Sequence, residues 1–215
     1  YAFYNCDGLT SIEIPNSITS IGNGVFEGCT SLTYNIDSNI KYLGNSTNLY
    51  LAAIGRTSAN FSSYSISSLA KIIAGGAFAD CTRLSSIVIP DGIISIGNQA
   101  FAKCAHIKSL LIPTSVTSIG SKAFYDCKNL VRVVIGPGIK SIGEYAFNYD
   151  YNKWSNLKHV DIYADPFEVM VAPNAFPSKV QVSYHNPKKY TQKNIAPSLK
   201  AELSVLMSSL LDSCC

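Results

Sequence analysis

Charge and titratable chemistry are scarce in this sequence. Of its 215 residues only 14% are Asp, Glu, Lys or Arg, and the formal net charge is +3. That balance speaks against a nucleic-acid partner held by bulk electrostatics and leaves solvation of the surface to Ser, Thr, Asn and Tyr. The three histidines, His106, His159 and His185, stand in unrelated contexts, and no recognised motif places a Ser, Cys or carboxylate beside any of them. A non-enzymatic protein is therefore expected. No C-x-x-C occurs in the repeats, so neither a metal site nor a cofactor is expected. Apolar runs of about 18 residues are absent too, which excludes a transmembrane segment, and the first residues lack the basic-then-apolar layout of a signal peptide. Because Tyr1-Ala2-Phe3-Tyr4-Asn5-Cys6 enters a repeat in its middle, a longer parent protein is expected.

What the chain has in abundance is repetition. Phe3 and Phe26 stand 23 residues apart, as do Phe78, Phe101, Phe124 and Phe147 in succession; the step from Phe26 to Phe78 is 52, one period plus 29 extra residues. The cysteines Cys6, Cys29, Cys81, Cys104 and Cys127 keep the same spacing. A fixed period of this length is the signature of stacked supersecondary units, none of which can bury its own edges alone.

Within a unit, alternation as in Ile12-Glu13-Ile14, Ile87-Val88-Ile89 and Leu110-Leu111-Ile112 predicts a short strand with two inward side chains. Pro15, Pro90 and Pro113 end it, since proline offers no amide to a ladder. Ile18, Ile93, Val116 and Ile139, then Ile21, Ile96, Ile119 and Ile142, return to the core. The glycines that follow, Gly22, Gly97, Gly120 and Gly143, are expected at positive φ. In the A-F-x-x-C segment Ala, Phe and Cys share one face of a helical turn. The fold class expected is an α/β repeat solenoid, right-handed, with short parallel strands, about six coils and a phenylalanine column.

The tandem motif I-P-x-x-(I/V)-x-x-I-G-x-x-A-F-x-x-C, nearly unbroken at Ile89 to Cys104 and Ile112 to Cys127, resembles the BspA-like class of leucine-rich repeats. The likeness runs from Ala2 to about Tyr184, over a solenoid domain of residues 1–187. It implies a cell-surface or secreted binding module that adheres to a host or matrix protein or glycan, with no shared catalytic residues. A structural spacer presenting other domains of a longer surface protein is the alternative. The sequence departs from the pattern at Asp150, which stands where a Cys is expected, and in an insert at about 33–62.

Three places are candidates for contact. Outward positions of the concave strands place Val88, Leu111 and Val134 in an apolar stripe beside Arg132, His159 and Asp161. The segment around Tyr149, Tyr151 and Trp154 sets aromatics on a polar loop that is longer than the repeat requires; it reads either as a lid over the last coils or as a hot spot. The insert reads as a β-hairpin protruding from the solenoid, with Tyr42 and Tyr50 as contact residues or as a cover for core edges. Asn45 and Asn60 head glycosylation sequons that matter only in a eukaryotic host. The repeat cysteines are expected to be buried, reduced apolar fillers. Val180 to Tyr184 alternates as a final edge strand, and residues 188–215 read as a polar linker followed by an amphipathic helix with Leu199, Leu203, Leu206, Met207 and Leu210 on one face. Cys214 and Cys215 have no packing reason to be fixed.

Overall fold

The computed structural model describes residues 2–149 and 155–187. Fourteen strands, numbered along the chain, form among the described residues. The insert supplies β1 (Asn35–Asp37), β2 (Ile40–Asn45) and β3 (Asn48–Arg56). After it, each coil contributes a pair: β4 (Ser63–Ser65) with β5 (Ile72–Ile73), β6 (Ser86–Val88) with β7 (Ser95–Ile96), and β8 (Ser109–Ile112) with β9 (Ser118–Ile119). Then come β10 (Arg132–Ile135) with β11 (Ser141–Ile142), β12 (His159–Ile162) with β13 (Met170–Val171), and the expected last strand, β14 (Gln181–Tyr184). Strands β8, β10, β12 and β14 stack as one parallel ladder, with β4 and β6 paired beside it, and the odd-numbered strands from β3 onward stack as a second. The result is a β-solenoid of leucine-rich-repeat type.

No helix occurs among the described residues, so the α/β expectation is corrected to an all-β solenoid joined by turns. The reason lies in the backbone of the A-F-x-x-C segment. The residue before Ala and the residue before Cys both take left-handed φ, 58° at Gln99 and 61° at Lys103, and the pair recurs as Lys122 and Asp126. A left-handed residue every four positions breaks a helical run. The amides then point along the solenoid axis, Phe101 N–H donating to Ala123 O and Lys103 N–H to Tyr125 O, both at 2.7 Å. The expected positive φ at Gly97, Gly120 and Gly143 is likewise absent. These glycines answer to space: a Cβ on Gly120 would lie 2.5 Å from the backbone nitrogen of Asn98 in the preceding coil.

The core repeats at the rise of the ladders. Phe78, Phe101, Phe124, Phe147 and Phe176 form a stack with ring centroids 5.1 to 5.4 Å apart and planes within 11°. Cys81, Cys104 and Cys127 are free and buried, as is Cys29. They do more than fill space. The Cys104 thiol donates to Phe78 O at 3.2 Å and the Cys127 thiol to Phe101 O at 3.3 Å, so each ties its turn to the coil before.

The insert does not protrude. Ile40, Tyr42 and Ala53 enter the large core that contains Phe78, while Leu43, Leu51 and Ala52 enter a second, smaller core with Ile14, Phe26 and Leu32. With apolar side chains on both faces, the hairpin is buried most cheaply between two coils, and β3 accordingly pairs with β5 through Ala52 opposite Ile72. Tyr42 is therefore fully buried, its hydroxyl accepting Ser67 N–H at 3.0 Å, and Tyr50 packs edge-on against it at 5.3 Å. Tyr42 thus presents no surface to a partner, while Tyr50 remains half-buried. Asn45 donates its side-chain amide to Ile14 O at 2.7 Å, which engages the nitrogen a glycan would need.

Replacing Phe101 with Ala should lower stability by about 3–5 kcal/mol, because the ring is lost from a packed column that has no means of collapsing. The same change at Phe3, 37% exposed at the end of its own short stack, should cost far less. Chemical denaturation of both variants checks the contrast, and equal losses would disprove it.

Burial pushes the Cys127 thiol up from 9.0 to about 12, so the fold keeps it neutral where the unfolded chain ionises. That contribution to stability is complete below pH 9.0 and is lost as the pH rises to about 12. Urea midpoints across this window should fall less steeply in Cys127→Ala than in the parent; parallel slopes would show that the fold does not hold the thiol neutral. Cys81 differs: the adjacent Cys104 thiol, together with the Arg56 charge, draws its thiol down, although it has no exposed surface.

Candidate binding surface

Alternation along the even-numbered strands turns every second side chain outward, and the register of the ladder converts these into rows. Ser109, Arg132, His159 and Gln181 form one row; Leu111, Val134, Asp161 and Ser183 form the next. The apolar stripe expected from Val88, Leu111 and Val134 is not continuous. Val88 is 73% exposed, Leu111 is half-buried and Val134 is fully buried. Arg132 Nη2 reaches across to Asp161 Oδ2 at 3.1 Å, and since Val134 lies two residues beyond Arg132 and directly opposite Asp161, that side chain runs over it.

Asp161 anchors more than one partner. His185 Nε2 lies 2.8 Å from its other carboxylate oxygen, and the His185 ring stacks on Tyr163 with centroids 4.6 Å apart. Arg132, Asp161 and His185 thus link three successive levels of the ladder. The Asp161 side chain is only 17% exposed. This charged group is a clamp between coils; Arg132 keeps 42% of its side chain exposed, and Val88, Leu111, His159 and Gln181 are among the other outward side chains of this face.

Tyr149 is half-buried and lines a hollow of about 290 Å³ with Asn174, Phe176 and Pro177; Tyr151 and Trp154 lie outside the described residues, as does the expected C-terminal helix. His106 is exposed, its Nδ1 paired with the Thr82 carbonyl. Among the described residues no group of three His, Cys, Asp or Glu is placed to hold a metal ion, and no helix is long and apolar enough to cross a membrane.

A larger cleft, of about 440 Å³, opens where the insert enters the solenoid, between the turns that carry Phe26 and Phe78. Arg56, the last residue of β3, is wedged there, its guanidinium donating to Ala77 O at 3.1 Å and to Ala79 O. In every regular coil those acceptor positions are filled by amides of the preceding turn.

The repeated units match the BspA type leucine-rich repeat region, in six copies, over residues 1–50 and 56–176. The chain belongs to the BspA-type leucine-rich repeat family. Among solved structures, the BspA-type solenoid is similar to a leucine-rich repeat protein from Eubacterium ventriosum, with 24% identity and a TM-score of 0.55, over 82% of this chain and 48% of that one. It is also similar to the pneumococcal vaccine antigen PcpA, with 18% identity and a TM-score of 0.53, over 86% of this chain and 53% of that one. A leucine rich cell surface protein from Faecalibacterium prausnitzii matches at 24% identity with a TM-score of 0.48, over 74% of this chain and 49% of that one. The chain therefore spans about half the length of these structures. A comparison with curated proteins finds no significant match.

Two residues of this BspA-type chain that shape its surface escape the repeat pattern. His185 follows the last strand, where no repeat position defines its role, yet the register that pairs Ile162 with Tyr184 carries it to Asp161. Arg56 sits in the insert, where no repeat position defines its role. The charge on an otherwise sparsely charged chain is the one signal that could have singled it out.

Asp161→Ala should destabilise the protein by about 1–3 kcal/mol, because it leaves Arg132 and His185 without their carboxylate. Thermal or urea unfolding measures this, and a loss below about 0.5 kcal/mol would place the group with ordinary solvent-screened surface pairs.

Proposed function

We propose that this chain is a non-enzymatic binding module of a cell-surface or secreted protein, which adheres to a host or matrix protein or glycan through the outward face of its even-numbered strands. The observation that carries the reading is the exposure of Val88 at 73%, in a coil adjoining the half-buried Leu111, on a face that also presents the exposed polar side chains of His159 and Gln181. Val88 and Leu111 stand on consecutive coils, and apolar side chains on a face that also carries polar ones are what a contact surface offers. The name of the F. prausnitzii protein, a leucine rich cell surface protein, is consistent with the location. Membership of a repeat family whose strands form a ready platform adds to it.

A second reading, a spacer that stacks end to end, draws support from the far end of the odd-numbered ladder. There Met170 is 75% and Phe167 97% exposed, and among the described residues β13 pairs only with β11.

Val88→Asp combined with His159→Ala separates the two. Binding of the chain to immobilised matrix glycoproteins and to epithelial cells should be lost, with a melting temperature within about 2 °C of the parent because both side chains are exposed. Unchanged adhesion would remove this face from consideration, and absence of adhesion in the parent would favour the spacer.

A further inference from the structure

The cleft beside Arg56 contains a row of hydrogen-bond donors that the repeat has prepared and the insert has stripped of acceptors. In each regular turn, three amides at alternate positions donate to carbonyls of the following turn: Gly76, Phe78 and Asp80 to Asn98, Ala100 and Ala102, and Gln99, Phe101 and Lys103 to Ser121, Ala123 and Tyr125. The equivalent amides of the second coil are those of Gly24, Phe26 and Gly28, and among the described residues none has an acceptor. Their natural partners would be carbonyls of the next turn, but Ala77 O and Ala79 O accept from Arg56 instead.

Gly24 and Gly28 hold left-handed φ of 62° and 78°. Backbone that alternates between left- and right-handed conformations gathers amide hydrogens into a concavity that receives an oxygen, commonly an anionic one. Elsewhere in this solenoid that oxygen is a carbonyl of the following coil. Here the stretch from Gly24 to Glu27 lines the cleft, whose walls also bring Lys41 and Arg56. Glu27, Asp80 and Gln99 line it as well and can accept from hydroxyls.

We propose that the cleft between the Phe26 and Phe78 turns binds a carboxylate-bearing sugar unit of an acidic glycan. The carboxylate oxygens take the place of the missing carbonyls on the Gly24 and Phe26 amides, with Lys41 supplying charge, while the ring hydroxyls donate to Glu27, Asp80 or Gln99. A peptide strand suits the site less well. Its own amides would face Ala77 O and Ala79 O, which Arg56 already occupies, and would be buried without partners. The volume of about 440 Å³ is within the range of small-ligand sites. This cleft is separate from the outward strand face and does not depend on whether that face binds anything.

The test is a titration of the isotopically labelled 215-residue chain, followed by amide NMR shifts, with glucuronate, with glucose as the neutral control and with triglutamate as the peptide control. Glucuronate at millimolar concentration should shift the Gly24 and Phe26 amides, and glucose should leave them in place. Lys41→Ala should weaken the effect roughly tenfold, the loss expected for one charge-assisted contact, with an unchanged melting temperature. Unmoved amides, equal shifts with glucose, or stronger binding of triglutamate would each overturn the assignment.

Discussion

The rise between coils is the constraint on which the rest of this molecule depends. Parallel ladders fix it at about 4.8 Å, and every side chain that points inward must repeat at that interval or make room for one that does. Phenylalanine meets the requirement by stacking nearly face to face with a slight lengthening, to 5.1 Å at the middle of the column. Glycine meets it before the turn by yielding to the backbone of the coil below. Cysteine meets it by being small enough to fit and polar enough to satisfy a carbonyl of the phenylalanine beneath.

The same constraint explains the neighbourhood of the insert. Once the hairpin separates the second coil from the rest, Phe26 can no longer stack on Phe78, and three side chains repair the gap. Tyr64 lies against Phe78 at 5.2 Å with its ring tilted by 58°. The Cys81 thiol, with no phenylalanine carbonyl beneath it, turns to the Tyr64 hydroxyl at 3.8 Å. Arg56 supplies donors to carbonyls that would otherwise face the cleft unpaired. Tyr64 and Arg56 lie outside the repeat pattern, and Cys81 is a repeat residue turned to a new partner.

That division also marks what could be read from the amino acids. The phenylalanine column, the buried cysteines from Cys29 onward, the ladder of I-x-I strands and the last strand were legible because each is set by a position that recurs; the second ladder, of two-residue strands, was not. The placement of the hairpin was not, since alternating side chains fit a projecting element as well as an intercalated one; apolar residues on both of its faces, Tyr42 on one and Leu43 on the other, were the hint. Val134 was misplaced because alternation assigns a face to a residue without showing that Arg132 lies across it. The turn was taken for a helical one because Ala, Phe and Cys have suitable spacing; the residue before Cys was the hint, since Asn5, Gly28, Asp80 and Asp126 are of types that accept a left-handed φ, whereas Lys103 there and Gln99 before Ala100 are of types that seldom do.

Two cores in one solenoid give the molecule a seam. The smaller core, built around Ile14, Ile21, Phe26 and Leu32, runs through the hairpin residues Leu43, Leu51 and Ala52 to Ile72 and Ala74 of the next coil. In a stack of repeats, stability is the sum of each unit and its interfaces. Under tension along the solenoid axis, load that the regular coils share with a column of stacked rings is carried across β2 and β3 by the hairpin's backbone pairing and its two apolar faces.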